Sequence, residues 1–179
     1  HVLRQTPTLE SKNIPKVSWS SERALNFRPK ISTFFFLCFG LALFGLGEGL
    51  LIVSTAGASP WSVLAQGISL NSGFSIGILT ILISVGVLFL WLPLNQKPGI
   101  GTILNALIIG LMIDVCIKFV PTPANYISQL LLSVTSVLIV GFGGGIYLVA
   151  NLGAGPRDGL MVGLQQKTNL PIAAVRAFL

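Results

Sequence analysis

Four side chains in this sequence carry charge where apolar residues surround them: Glu48, Asp114, Arg157 and Asp158. An ionisable group at the centre of a membrane span costs at least about 2.5–3.5 kcal/mol, so it faces the protein interior and has a partner. Glu48 has no partner nearby in sequence. Gly47 and Gly49 flank it and leave its carboxylate open to another helix or to water. It reads as a proton- or cation-linked site, or as a protonated Glu hydrogen-bonded to a neighbouring helix. Asp114 precedes Lys118 by four residues on one helix face. A local ion pair is the simpler reading there, ahead of an ion or proton path. Arg157 and Asp158 open a short helix behind Gly153, Gly155 and Pro156. Asp158 suits the helix dipole and the unpaired N–H groups of that turn. Arg157 can bind an anion together with those same groups.

The elements that position these residues occur twice. A glycine-studded apolar helix runs into a glycine turn, then a proline, then a short helix. At an offset of 96 residues the copies share Gly45/Gly141, Gly47/Gly143, Gly49/Gly145, Val53/Val149, Gly57/Gly153, Ala58/Ala154, Pro60/Pro156, Leu64/Leu160 and Gly67/Gly163. Gly144, Trp61 and Ser62 pair with Glu48, Arg157 and Asp158, so the charges themselves are not duplicated. A repeated helix–turn–helix unit in so apolar a chain indicates a polytopic membrane protein built from a duplicated half.

Composition supports that class. Charged residues make up 9% of the chain and hydrophobic ones 53%, against about 25% charged in an average soluble domain. No Asp, Glu, Lys or Arg occurs in 49–96 or in 119–156. Each run exceeds the roughly 20 residues that cross a bilayer. The formal net charge of +6 does not point to nucleic acid, because Arg4, Lys12, Lys16, Arg23, Arg28 and Lys30 all precede the first apolar run. That is where positive charge sets membrane topology. Cys38 and Cys116 fall in apolar segments and read as small buried hydrophobes.

In chain order, residues 1–30 read as a mobile basic tail, with at most a short surface helix near 19–27. A cleaved signal peptide is the weaker alternative, since the apolar run over 31–53 is longer than the 7–15 residues of such a core. The first repeat covers 31–120. It holds a span over 31–55, a short helix over 60–69, and spans over 74–94 and 100–119. Ser59 suits the N-cap and Pro60 the first turn of the short helix, with Trp61 as an anchor at headgroup depth. Gly45 and Gly49 have the spacing that lets helices approach closely in lipid. Gly57, Gly153, Gly155 and Gly159 read as turn and packing positions. The second repeat covers 126–179, with a span over 126–152, a short helix over 156–167 and a new span from about 170. It reads as truncated, because the chain stops at Leu179 inside that apolar run.

With the tail in the cytoplasm, Lys97, Arg157, Lys167 and Arg176 also fall inside, and Lys118 alone falls outside. Loops 56–73 and 120–125 carry no charge. The two copies then have opposite orientation. The expected fold is an all-α membrane helix bundle with an inverted-topology repeat, each half carrying a glycine/proline turn and a short helix.

Gly153 to Met161 and Ser59 to Gly67 together resemble the bacterial YczE/YyaS/YitT-type integral membrane family, its YczE branch above all. The likeness covers about residues 34–179. It implies a small multi-pass protein of the bacterial inner membrane. The family's first motif commonly reads Pro-Trp-Asp, and Ser62 here removes that carboxylate.

The expected function is a small transporter-like protein for a small-molecule or ion substrate, with Glu48, Arg157, Asp158 and Asp114 as binding candidates. Arg157 would contact an anionic group, and Glu48 would be proton-linked. The alternative is a membrane scaffold or regulator acting through partner contacts, with a homo-oligomer among its forms. The sequence contains no phosphate-loop Lys-Ser/Thr, no Gly-x-Ser-x-Gly and no His–Glu metal motif. Neither catalysis, nor a metal, nor a cofactor is expected.

Overall fold

The computed structural model of the protein describes residues 17–178. Residues 1–16, with Arg4, Lys12 and Lys16 of the basic tail, lie outside the described residues. The chain forms helices α1 (Ile31–Ser54), α2 (Pro60–Ser72), α3 (Ile76–Trp91, extended by a 3-10 turn Leu92–Leu94), α4 (Ile100–Phe119), α5 (Tyr126–Ala150), α6 (Pro156–Thr168) and α7 (Ile172–Phe178). Among the described residues there is no strand. Four helices are long and apolar enough to cross a membrane: Ile31–Ser54, Ile76–Leu94, Ile100–Phe119 and Tyr126–Ala150.

The helix ends follow local chemistry. Ser59, Ser75 and Asn125 cap α2, α3 and α5 by accepting from the N–H three residues on. Pro60 and Pro156 stand at the first position of the short helices, where a missing N–H costs nothing. The first turn departs from expectation. Thr55, not Gly57, adopts the left-handed conformation that ends α1, and its N–H bonds to Ile52 O. A side chain at Gly57 would meet nothing within 4 Å. In the second turn the left-handed residues are Asn151, the counterpart of Thr55, and Gly153 (φ +116).

α1 is the central element, and its glycines decide what touches it. Gly45 and Gly49 face α4. An added Cβ would lie 2.9 Å from Ile109 Cα at Gly45 and 2.5 Å from Cys116 Cβ at Gly49. Gly40 and Gly47 face α5, with the same test reaching Gly143 O at 3.0 Å and Ser136 O at 2.9 Å. Close backbone approach of this kind replaces the hydrophobic effect as the source of helix association in lipid. Leu37, Leu41, Ile109, Ile113, Tyr147, Ala150 and Leu152 form the core between the three helices. Phe39, Leu82, Leu111, Leu138 and Phe142 are exposed on the outside, which suits lipid contact.

The segment before α1 is not helical at 19–27. It forms turns that dock on the bundle. Thr33 donates to Trp19 O (2.5 Å), Ser21 N–H to Ala150 O (3.1 Å) and Asn151 Nδ2 to Ser21 O (2.9 Å). Trp19 stacks on Phe36 with ring centres 4.5 Å apart. Bonds to the ends of α1 and α5 take the place of a local helical ladder.

Candidate functional site

Glu48 lies on α1 six residues before its end, about 9 Å along the axis at 1.5 Å per residue. The turn after α1 folds back, so that the start of α2 meets this carboxylate. Glu48 Oε2 accepts from Ser59 Oγ (3.0 Å) and Ser62 Oγ (2.8 Å). Ser59 also caps α2 through Ser62 N–H (3.3 Å). Glu48 is 5% exposed. Its carboxyl group thus sits at the positive end of a helix dipole, held by two hydroxyls.

The second short helix arrives from the other side. Arg157 Nη1 lies 3.9 Å from Glu48 Oε1, and the guanidinium stands 5.7 Å from the centre of the Phe44 ring. Among the described residues this is the one ion pair, and the Arg157 guanidinium makes no hydrogen bond within them. Asp158 Oδ2 accepts a hydrogen bond from the Tyr147 hydroxyl of α5. α6 has no side-chain cap, because Gly155 stands at its N-cap. A side chain at Gly155 would press on the Asn105 amide of α4, 2.9 Å from Nδ2. Asn105 is 6% exposed.

These groups line a cavity of about 450 Å³, together with Phe44, Trp61, Val140 and Met161. Its size falls in the range of small-molecule pockets. It combines apolar and aromatic walls with two carboxylates, one guanidinium and an amide. Trp61 therefore faces the interior, against the cluster of Val87, Trp91 and Leu160.

Glu48, Arg157 and Asp158 come together as the sequence suggested. Asp114 does not join them, and it forms no pair with Lys118. Its carboxylate accepts from Ser75 Oγ (2.6 Å) and Gly77 N–H (2.8 Å), fastening the start of α3 to α4. Unpaired N–H groups at a helix start outcompete a neighbour one turn away, and Lys118 lies over the Phe119 ring instead (5.6 Å). Asn105, Tyr147 and Ser59 were missed as site residues. Asn105 and Tyr147 carried a weak signal, a polar group with apolar neighbours on either side along its helix.

The apolar helices and the interior polar site define a multi-helix membrane protein. The chain belongs to the family described as "Family of unknown function (DUF6198)", whose model matches residues 31–179. It is 40% identical over 166 residues to an "Uncharacterized protein" of Haemophilus influenzae, covering 93% of this chain and 75% of that protein. It is 34% identical over 146 residues to "Uncharacterized membrane protein YczE" of Bacillus subtilis, covering 80% and 67%. "Uncharacterized protein YyaS" of the same organism is 32% identical over 126 residues, covering 68% and 62%. These relatives agree with the YczE-like resemblance in the paired motifs. No solved structure matches.

Proposed function

We propose that the protein is a small transporter of the bacterial inner membrane, built from two inverted halves, with its basic N-terminus in the cytoplasm. The observation that carries this reading is the meeting of two short-helix N-termini at one polar cavity, beside Phe44 and Glu48 of α1. Discontinuous helices that point their N-termini at a shared site are how many secondary transporters bind substrate.

The packing of α1 on α5 supports the inverted halves. If a two-fold axis relates the copies, a contact between residues i and j implies one between j − 96 and i + 96. The approach of Gly40 to Gly143 then requires Gly47 to approach Ser136, and that of Gly143 to Phe44 requires Gly47 to approach Val140. Both occur: an added Cβ on Gly47 would lie 2.9 Å from Ser136 O and from Val140 N.

In this reading Arg157 contacts an anionic group, and Glu48 carries the coupled proton. Single cysteines at Ala56, Asn95, Thr122 and Gln166 test the topology in intact cells lacking Cys38 and Cys116. Labelling from outside at Ala56 and Thr122, with Asn95 and Gln166 protected until permeabilisation, is expected. Labelling of Ala56 and Gln166 from the same side would break the inverted halves and the case for transport with them.

A second reading, a scaffold or homo-oligomer, is favoured by one feature. Gly141 and Gly145 on α5, the counterparts of Gly45 and Gly49, have nothing within 4 Å. Cross-linking between single cysteines at these positions in native membranes is the test. An absence of cross-linked dimer would remove that reading.

A further inference from the structure

We propose that the cavity takes a small zwitterion, an aliphatic α-amino acid in chemical class. Its carboxylate binds at the open start of α6 and its ammonium binds at Glu48. This deepens the transport reading by naming the substrate class, and rests on it only for the word substrate.

The carboxylate end is defined by three groups with unused donors. α6 is a 13-residue helix without a side-chain cap, whereas Ser59 fills that role in α2. The backbone N–H groups of Arg157 and Asp158 therefore have no intrahelical acceptor. Arg157 brings five more donors on a planar fork, a shape that matches a carboxylate. Asn105 is the independent observation. The residue is 6% exposed and lines the cavity beside Gly155, and among the described residues its amide makes no hydrogen bond, its oxygen and nitrogen being reached from the cavity. With no protein partner, this amide offers two donors and an acceptor to whatever enters the cavity.

The ammonium end is the free side of Glu48. Both serines bond to Oε2. Oε1 faces only Arg157, at 3.9 Å, beyond hydrogen-bond reach. Charge then selects the ligand. Glu48, Asp158 and Arg157 leave a net negative site when all are ionised, and a lone carboxylate would add to it. An α-amino acid leaves the balance unchanged and puts opposite charges on adjacent carbons, the spacing that the side-by-side Arg157 and Glu48 require. Phe44, Val140 and Met161 supply the wall for an aliphatic side chain.

Three probes that share one unbranched chain separate the contributions: norleucine with both charges, hexanoate with the carboxylate alone and pentylamine with the amine alone. Calorimetry on the purified full-length protein in nanodiscs should give norleucine an affinity at least about tenfold above either single-charge probe. Asn105→Asp, which keeps the shape and repels a carboxylate, should weaken norleucine and hexanoate about tenfold while sparing pentylamine. Glu48→Gln, which keeps an acceptor for the serines, should weaken norleucine and pentylamine and spare hexanoate. Cooperative thermal unfolding of the ligand-free variants establishes that they fold. Hexanoate binding as tightly as norleucine would overturn the zwitterion, as would binding by none of the three. Norleucine binding without uptake into proteoliposomes would instead overturn transport and leave the zwitterion site standing.

Discussion

Ser62 donates a 2.8 Å hydrogen bond to Glu48 Oε2, joining the first turn of α2 to the middle of the bundle. Ser59 makes a second such bond at 3.0 Å. The first short helix is therefore tied down by a residue of the site itself, and fold and function share one carboxylate. Glu48→Leu removes the acceptor of two hydroxyls and the neighbour of Arg157. A lost buried partner costs about 1–3 kcal/mol, so this variant should unfold at a clearly lower temperature in detergent. Glu48→Gln keeps an acceptor and should lose less. Equal melting of the Leu variant and the parent would show that the serine bonds do not hold α2.

Asp114 predicts the opposite combination: a strong effect on stability and none on ligand binding. It accepts from Ser75 and Gly77 at the start of α3, away from the cavity. Asp114→Ala should cost about 1–3 kcal/mol, the usual penalty for orphaned donors. Lys118→Ala should stay within about 0.5 kcal/mol, the range of surface changes. Denaturant titration of the two variants side by side decides the matter. A comparable loss from Lys118→Ala would restore the ion pair that its spacing suggests.

The helix plan was legible because span length and caps are local properties. The first span, expected over 31–55, is Ile31–Ser54, and the third coincides at 100–119. α2 runs on to Ser72, past the expected 69, because its stop is Gly73 in the left-handed region (φ +74). Nothing in the helix itself ends it sooner. The site was legible in part. Glu48, Arg157 and Asp158 stood out as charges in apolar company, and the turns that unite them are visible as motifs. Their partners were not. The bond between Ser75 and Asp114 spans 39 residues, and the Tyr147 hydroxyl reaches Asp158 across the turn between α5 and α6. Such pairs depend on how helices pack, which spacing along one helix does not reveal.

The glycines of α1 and their counterparts on α5 should respond differently to one added methyl. At Gly49 a Cβ would lie 2.5 Å from Cys116 Cβ, and at Gly145 it meets nothing within 4 Å. Gly49→Ala should therefore destabilise by roughly 1–3 kcal/mol, as overpacking does. Gly145→Ala should be neutral or slightly stabilising, since Ala is the better helix former. Denaturation midpoints of the two variants of this 179-residue chain make the comparison. A loss at Gly145 equal to that at Gly49 would mean that the α5 face is covered, and cross-linking at the same position would then identify a second copy as the cover or exclude it.

Trp91 and Gly159 give a test of how α6 is aimed. The Trp91 indole N–H donates to Pro156 O (2.9 Å), and its ring lies against Gly159, leaving no room for a side chain. Because Pro156 and Gly159 bracket Arg157 and Asp158, the ring fixes the turn that carries both charges. Gly159→Ala alone should force the helix away and cost about 1–3 kcal/mol. In a Trp91→Leu background the space is already open, and the same change should cost far less. The double-mutant cycle should return a coupling of about 1 kcal/mol or more, within the range for residues in contact. Additive effects would mean that the ring does not press on the helix. A large coupling joined to weakened norleucine binding in Gly159→Ala would show that Trp91 positions the α6 start for its ligand as well as for the fold.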